Sequence, residues 1–148
     1  MLVDHPFLAA LARPGDREVL DALIDFVGLA AKESLQARAL SYGEQRLLEI
    51  AVALAAKPRL LLLDEPVSGM NPAETGSFMQ KLAEIRALGI TVLLVEHDMK
   101  MVMGVSDRIV CLSQGHVIAN GTPSEIQRDP AVIRAYLGER YAKKVAGA

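Results

Sequence analysis

Two adjacent carboxylates, Asp64 and Glu65, close the apolar run Leu60 to Leu63. Acids at the carboxyl end of a buried strand stand where α/β sheets bind ligands. Successive strand side chains leave on opposite faces, so the pair can divide its work. One carboxylate can hold a divalent cation, often through water, while the other aligns or deprotonates an attacking water. An acidic pair at an exposed strand end is also ordinary surface chemistry, so the pair needs company. Leu40-Ser41-Tyr42-Gly43-Glu44-Gln45 offers some: Ser followed three residues later by Glu is a capping box, with an added hydroxyl, a small Gly and outward N–H groups. Such a helix start is a ready anion site. Glu96-His97-Asp98 follows a second apolar run, and an imidazole there can donate to a phosphate oxygen or orient a water. His5 and His116 have no comparable placement.

The elements that must position these groups follow from periodicity and punctuation. Val19, Leu20, Leu23, Ile24 and Val27 fall on one face of a helix over Asp16 to Leu29, preceded by Pro14-Gly15. Ser41 opens a second helix that stops near Lys57, because Pro58 cannot continue it. Leu60 to Leu63 and Ile90 to Val95 read as strands buried on both faces, as in a parallel sheet. Between them Asn71, Pro72 and Glu74 form an N-cap, first-turn proline and acidic third position. The helix they start carries Phe78, Met79, Leu82 and Ile85 and stops at Gly89. Strand, helix and strand make a βαβ unit, whose crossover is expected to be right-handed. A short helix over Met99 to Gly104 follows. A hairpin then turns at Gln114-Gly115, and helices start at Thr122-Pro123-Ser124-Glu125 and Asp129-Pro130. The last carries Val132, Ile133, Tyr136 and Leu137, and the tail after Gly138 is expected to fray.

Composition narrows the function. The 148 residues allow one domain with a modest core, and with aromatics at 4% that core is aliphatic. A net charge of -2, with Lys and Arg scattered, argues against nucleic acid as a partner. The single Cys111 excludes an internal disulfide and fits a reducing compartment. The most apolar stretch, Ile50 to Leu63, is broken by Lys57, Pro58 and Arg59, too short to span a bilayer. The N-terminus has Asp4 and no basic lead-in, so it makes a poor signal peptide. A soluble cytoplasmic protein is expected, serving a membrane only by docking.

In order and spacing, the three groups resemble the ATP-binding cassette of ABC transporters, over about Asp16 to Gly138. Leu40 to Gln45 is similar to the signature motif, Leu60 to Glu65 to Walker B, Ser68-Gly69-Met70-Asn71-Pro72 to the D-loop, and His97 to the switch histidine. The Tyr-Gly-Glu-Gln form of the signature, Glu96 to Met99, Ser106 to Ile109 and the C-terminal Ala135-Tyr136-Leu137-Gly138-Glu139 resemble the ATPase subunits of branched-chain amino-acid importers. The resemblance implies a partial P-loop NTPase fold: a mostly parallel sheet with helices on both faces, an N-terminal helical subdomain and a C-terminal hairpin plus helices. It divides the chain into helical subdomain (1–57), nucleotide-binding core (58–138) and tail (139–148). By the same resemblance Asp64 holds Mg²⁺, Glu65 handles the catalytic water and His97 meets the γ-phosphate. Ser41, Gly43, Glu44 and Gln45 would face the ATP of an opposite subunit, with Ser68 and Asn71 in the D-loop. The implied partners are a second ATP-binding subunit, identical or different, and membrane permease subunits at the inner face of the cell membrane.

The departures matter as much. No G-x-x-x-x-G-K-[ST] occurs among these residues, so nothing here cradles the α- and β-phosphates. No counterpart of the family's glutamine loop or adenine-stacking aromatic lies upstream of Ser41, so the chain is expected to be inactive by itself. Glu44, a carboxylate near a triphosphate, is expected to be structural, tied back to the Ser41 N–H. Val52 stands where the wider family usually has Arg. Two other readings are a non-catalytic module lending its signature helix to a complete cassette, and an ATPase of another ABC branch, such as a DNA-repair or translation factor. The intact Asp64, Glu65 and His97 weigh against the first, and the near-neutral charge, lack of heptads and C-terminal motif against the second.

Overall fold

The computed structural model describes residues 16–137. The Pro14-Gly15 lead-in and the tail after Gly138 lie outside them. The chain forms two units, Met1–Glu96 and His97–Ala148.

In the first unit, α1 (Asp16–Phe26) buries Leu23, with Phe26, Val27 and Leu29 following at its end. Leu20, expected on the same face, is 52% exposed, because the buried stripe is centred on Leu23 and Val27. Gly28, at φ 77°, turns the chain after the helix. Single 3₁₀ turns at Ala30–Lys32 and Ala37–Ala39 lead to α2 (Tyr42–Ala55). Its N-cap is Ser41, and the reciprocal bonds with Glu44 form the expected capping box. Ile50, Ala51 and Leu54 bury its inner face. Lys57, at φ 52°, and Pro58 end it.

Strand β1 (Leu60–Asp64) pairs in parallel with β2 (Thr91–Val95), Leu60 opposite Thr91 and Asp64 opposite Val95. The crossover is α3 (Pro72–Ala87), capped by the Asn71 side chain and its own capping box with Glu74. Phe78, Leu82 and Ile85 are at most 1% exposed. Burying side chains of this size contributes about 1.5–3 kcal/mol each. Helix α1 packs on α2, α2 on α3, and α3 against β2. The Lys81 ammonium lies 4.5 Å from the Phe26 ring centroid, tying α3 to the end of α1.

The sheet corrects one expectation. The strands are not buried on both faces. Leu61 is buried and Leu63, Val92 and Leu94 are half-buried, whereas Leu60, Leu62, Leu93 and Val95 are 50–63% exposed. Residues paired across a ladder share a face, so these four, with Asp64 and Thr91, form one open surface. Among the described residues, the helices of this unit cover the other face.

The second unit is built from local signals. Asp98 caps α4 (Met99–Val105) by accepting from the Lys100 and Met101 N–H groups. Strands β3 (Ile109–Ser113) and β4 (His116–Gly121) are antiparallel around Gln114-Gly115, both at positive φ (49° and 79°), as the tight two-residue turn requires. Thr122 and Glu125 close a capping box on α5 (Pro123–Ile126), and Asp129 caps α6 (Pro130–Val132). The chain then widens into a π turn, Ile133–Leu137, rather than continuing one regular helix. Tyr136 Oη donates to the Leu112 carbonyl at 2.7 Å. The core is Ile109, Cys111, Ile126 and Val132. Burial, with Asp129 adding to it, pushes the Cys111 thiol above its ordinary pKa, so it behaves as a packed apolar group.

Candidate functional site

The acidic pair lies at the carboxyl end of β1, as expected. Asp64 closes the strand on its open face and is exposed. Glu65 does not continue the strand. Its φ of 43° places it in the left-handed region, uncommon for any residue with a side chain. The turn is pinned by the Glu65 N–H donating to the Val95 carbonyl (2.9 Å) and the Ser68 N–H donating to the Glu65 carbonyl (3.1 Å). Backbone strain of this kind persists where surrounding structure over-determines it, and it gathers at functional sites. Pro66 and Val67 are buried behind the pair. The Val67 N–H donates to Glu96 Oε1 at 3.3 Å, so the acid after β2 props the loop after β1.

That loop carries Ser68 and Asn71, and it meets the start of α2. Gly69, at φ 83°, faces the Tyr42 ring closely enough that a Cβ there would stand 3.5 Å from Tyr42 Cε1. Asn71 Oδ1 accepts from the Ala73 and Glu74 N–H groups at 2.9 and 3.0 Å. Tyr42 is held in turn by Arg46, whose guanidinium carbon is 5.1 Å from the ring centroid and whose Nη2 donates to Tyr42 Oη at 2.7 Å. Through Glu74, whose carboxylate accepts from Ser41, Gly43 and Asn71, the structure brings these three together at the junction of α2 and α3, with Glu44 at the same turn and Ser68 in the adjoining loop. A shallow cleft lined by Arg46, Glu49, Ile50, Asp64 and Pro66 runs from α2 to the end of β1.

Within the first turn of α2 each polar group has a task. The Ser41 N–H donates to Glu44 Oε2 at 2.9 Å, and Glu44 Oε1 pairs with Lys32. The Lys32 ammonium first, then the Ser41 N–H, hold the Glu44 carboxyl below its ordinary pKa. Gln45 Nε2 donates back to the Leu40 carbonyl at 3.1 Å, which secures the residue before the cap. Glu44 thus points to its own cap and to Lys32, the structural part expected of it. Glu44→Gln is expected to leave stability within about 0.5 kcal/mol, since Gln also serves a capping box and an exposed pair contributes little. Glu44→Ala should cost about 1 kcal/mol in urea unfolding.

His97 opens the second unit, exposed and next to the Asp98 cap of α4. Sequence reasoning missed two groups. Glu74 was seen only as an acidic third position, yet its carboxylate also reaches Ser41 and Gly43. Glu96 was seen only as part of a run with His97, and its bond to the Val67 N–H spans 29 positions. Among the described residues no three His, Cys, Asp or Glu side chains converge on a cation position. Mg²⁺ is content with one or two carboxylates plus water and phosphate oxygens, and the exposed Asp64 at the end of β1 fits that lesser share. Among the described residues no helix is long and apolar enough to cross a membrane.

Known proteins are similar to this chain in sequence and in fold. The family model described as ABC transporter matches residues 8–68, and the one described as branched-chain amino acid ATP-binding cassette transporter matches residues 116–142. The high-affinity branched-chain amino acid transport ATP-binding protein LivG of Salmonella typhimurium is 49% identical over 131 residues, covering 86% of this chain and 51% of that protein. LivG of Escherichia coli is 48% identical over the same shares, and BraF of Pseudomonas aeruginosa is 45% identical. The chain spans about half the length of the curated relatives it matches. Among solved structures, an ATP-binding cassette of an ABC transporter superposes with a TM-score of 0.75 at 28% identity, over 84% of this chain and 51% of that one. A nucleotide-free cassette gives 0.74 at 30% identity, over 81% and 49%.

Proposed function

The chain belongs to the ABC transporter family of ATP-binding proteins, and from that premise we propose that it forms the C-terminal portion of the ATP-hydrolysing subunit of an importer for branched-chain amino acids. The observation that carries the substrate class is the likeness to LivG and BraF at 45–49% identity, with the matching C-terminal segment 116–142. In this reading Asp64 holds Mg²⁺, which when bound offsets phosphate charge. Glu65 accepts a proton from the water that attacks the γ-phosphate, and His97 donates a hydrogen bond to that phosphate. Ser41 Oγ and the Gly43 N–H, with Glu44 and Gln45 fixing their turn, face the γ-phosphate of ATP bound to a second subunit. Ser68 and Asn71 form the loop between the two sites. The partners are that second ATP-binding subunit and membrane permease subunits, which keep the protein at the cytoplasmic face of the membrane.

What supports the division of labour is the junction itself: the strained turn after Asp64 leads within four residues to the glycine that lies against the start of α2. These residues contain no phosphate-binding loop, so in this reading the loop comes from other polypeptide, and the chain alone neither binds nor hydrolyses ATP. Titration with a fluorescent ATP analogue and Mg²⁺ tests it. The isolated chain should show no saturable binding, and binding with hydrolysis should appear in an assembly that supplies the loop. Saturable binding by the chain alone, lost on Asp64→Asn, would overturn the reading.

A further inference from the structure

The first turn of α2 already has a negative group in its grip, and it comes from the same chain. The two oxygens of Glu74 serve different helices. Oε2 accepts from the Asn71 N–H at 3.1 Å, closing the capping box of α3. Oε1 accepts from Ser41 Oγ at 3.0 Å and from the Gly43 N–H at 3.4 Å, more than thirty positions back. The second pair of bonds has nothing to do with starting α3, because Oε2 alone completes that box.

Gly43 is what admits the carboxylate. A Cβ built there would stand 3.0 Å from Glu74 Cγ and Cδ and 3.1 Å from its Cβ, so the Glu74 stem lies in the space any side chain at 43 would fill. The other acid at this turn is directed elsewhere: Glu44 bonds the Ser41 N–H and Lys32. The charged group that acts on Glu74 is Glu44, which works against its charge and is itself paired with Lys32.

We propose that Glu74 is a resident competitor for the anion-binding start of α2: it takes Ser41 Oγ and the Gly43 N–H when no nucleotide faces them, and must release both as the γ-phosphate of a second subunit's ATP arrives. This rests on the reading of Ser41 and Gly43 given above. A carboxylate and a phosphate oxygen cannot share two donors, and their like charges repel across the same few ångströms. Because Glu74 is also the third residue of α3 and remains bonded to the Asn71 N–H, its release is felt in the loop that runs back to Glu65. Nucleotide capture at one subunit's α2 is thereby linked to the loop beside its own acidic pair.

The test uses the 148-residue chain labelled with ¹⁵N, and inorganic sulfate, which stays a dianion through the carboxylate range. In acid titration without sulfate, the Gly43 and Asn71 amide signals should move together with a midpoint below the ordinary glutamate range. The hydrogen bonds from Asn71, Ser41 and Gly43 hold Glu74 there. Glu74→Gln, which keeps the shape and the capping bond, should abolish that movement. Sulfate should shift the Gly43 and Glu44 amides of Glu74→Gln and Glu74→Ala at concentrations about tenfold lower than in the unaltered chain, a difference of about 1.4 kcal/mol. The unaltered chain should itself gain sulfate affinity as pH falls through the Glu74 titration, a check needing no variant. Equal sulfate affinity in all three chains would overturn the competitor role and leave the reading of Ser41 and Gly43 standing. No sulfate shift in any of them would overturn both. A Gly43 signal blind to the Glu74 titration would remove the contact itself.

Discussion

In an assembly that supplies the phosphate-binding loop, Glu65→Gln is expected to lower ATP turnover by about two to four orders of magnitude while nucleotide binding persists. In the proposed reading Glu65 takes the water's proton; Gln keeps the shape and a hydrogen bond but cannot accept it. Single-turnover hydrolysis beside equilibrium binding of the fluorescent analogue separates the two effects. Glu65 also stands at φ 43°, where a side chain costs about 1–2 kcal/mol that glycine does not incur. Glycine loses about 0.5–1 kcal/mol through its freer unfolded chain. On these backbone terms alone Glu65→Gly gains between nothing and about 1.5 kcal/mol, and it is expected to fail to hydrolyse. Turnover surviving in Glu65→Gln would take the proton-accepting role away from this residue, and clear destabilisation in Glu65→Gly would take away the strain.

How far the sequence could be read depended on distance along the chain. The helix starts at Ser41, Asn71 and Thr122 were legible because their signals lie within four residues; the expected capping box formed at Ser41, and the same box also closes the starts at Asn71 and Thr122. The hairpin turn at Gln114-Gly115 was legible for the same reason. The place of the acidic pair was legible because an apolar run marks a strand and the two acids mark its carboxyl end, although the pair alone could equally have been ordinary surface. What failed was cover. Leu60 to Leu63 and Ile90 to Val95 carry no polar alternation, so they read as buried on both faces, but an apolar side chain reports what it prefers and not what lies over it. Leu20 misled in the same way, since a helical stripe does not say which of its edges is packed. The second bonds of Glu74 and the prop from Glu96 span 29 to 33 positions, and no local pattern announces them. Nor does Glu65 announce its backbone, because glutamate is not a residue chosen for positive φ.

Alone in solution, the 148-residue chain is expected to associate through the open face of the β1–β2 pair, and opposite charges placed there should suppress it. Leu60, Leu62, Leu93 and Val95 are 50%, 63%, 56% and 56% exposed on that one face. Together they offer on the order of 400 Å² of apolar surface, at the size where patches mark contact sites. The outer edge of β1, unpaired among the described residues, adds open hydrogen-bonding groups. Sedimentation velocity should show larger species growing with concentration. Leu62→Lys with Leu93→Glu should return the chain to monomer with little change in melting, because Leu61, Phe78 and Leu82 beneath the sheet are untouched. A sharp monomer boundary and cooperative melting in the unaltered chain would refute the prediction. Asp64 lies on this same face, so whatever covers the four aliphatic residues in a working assembly also walls in the acid. Excluding water beside that carboxylate would strengthen every charge interaction it makes, so if Asp64 holds Mg²⁺ as proposed, the surface that makes the lone chain sticky is one whose covering would also strengthen that contact.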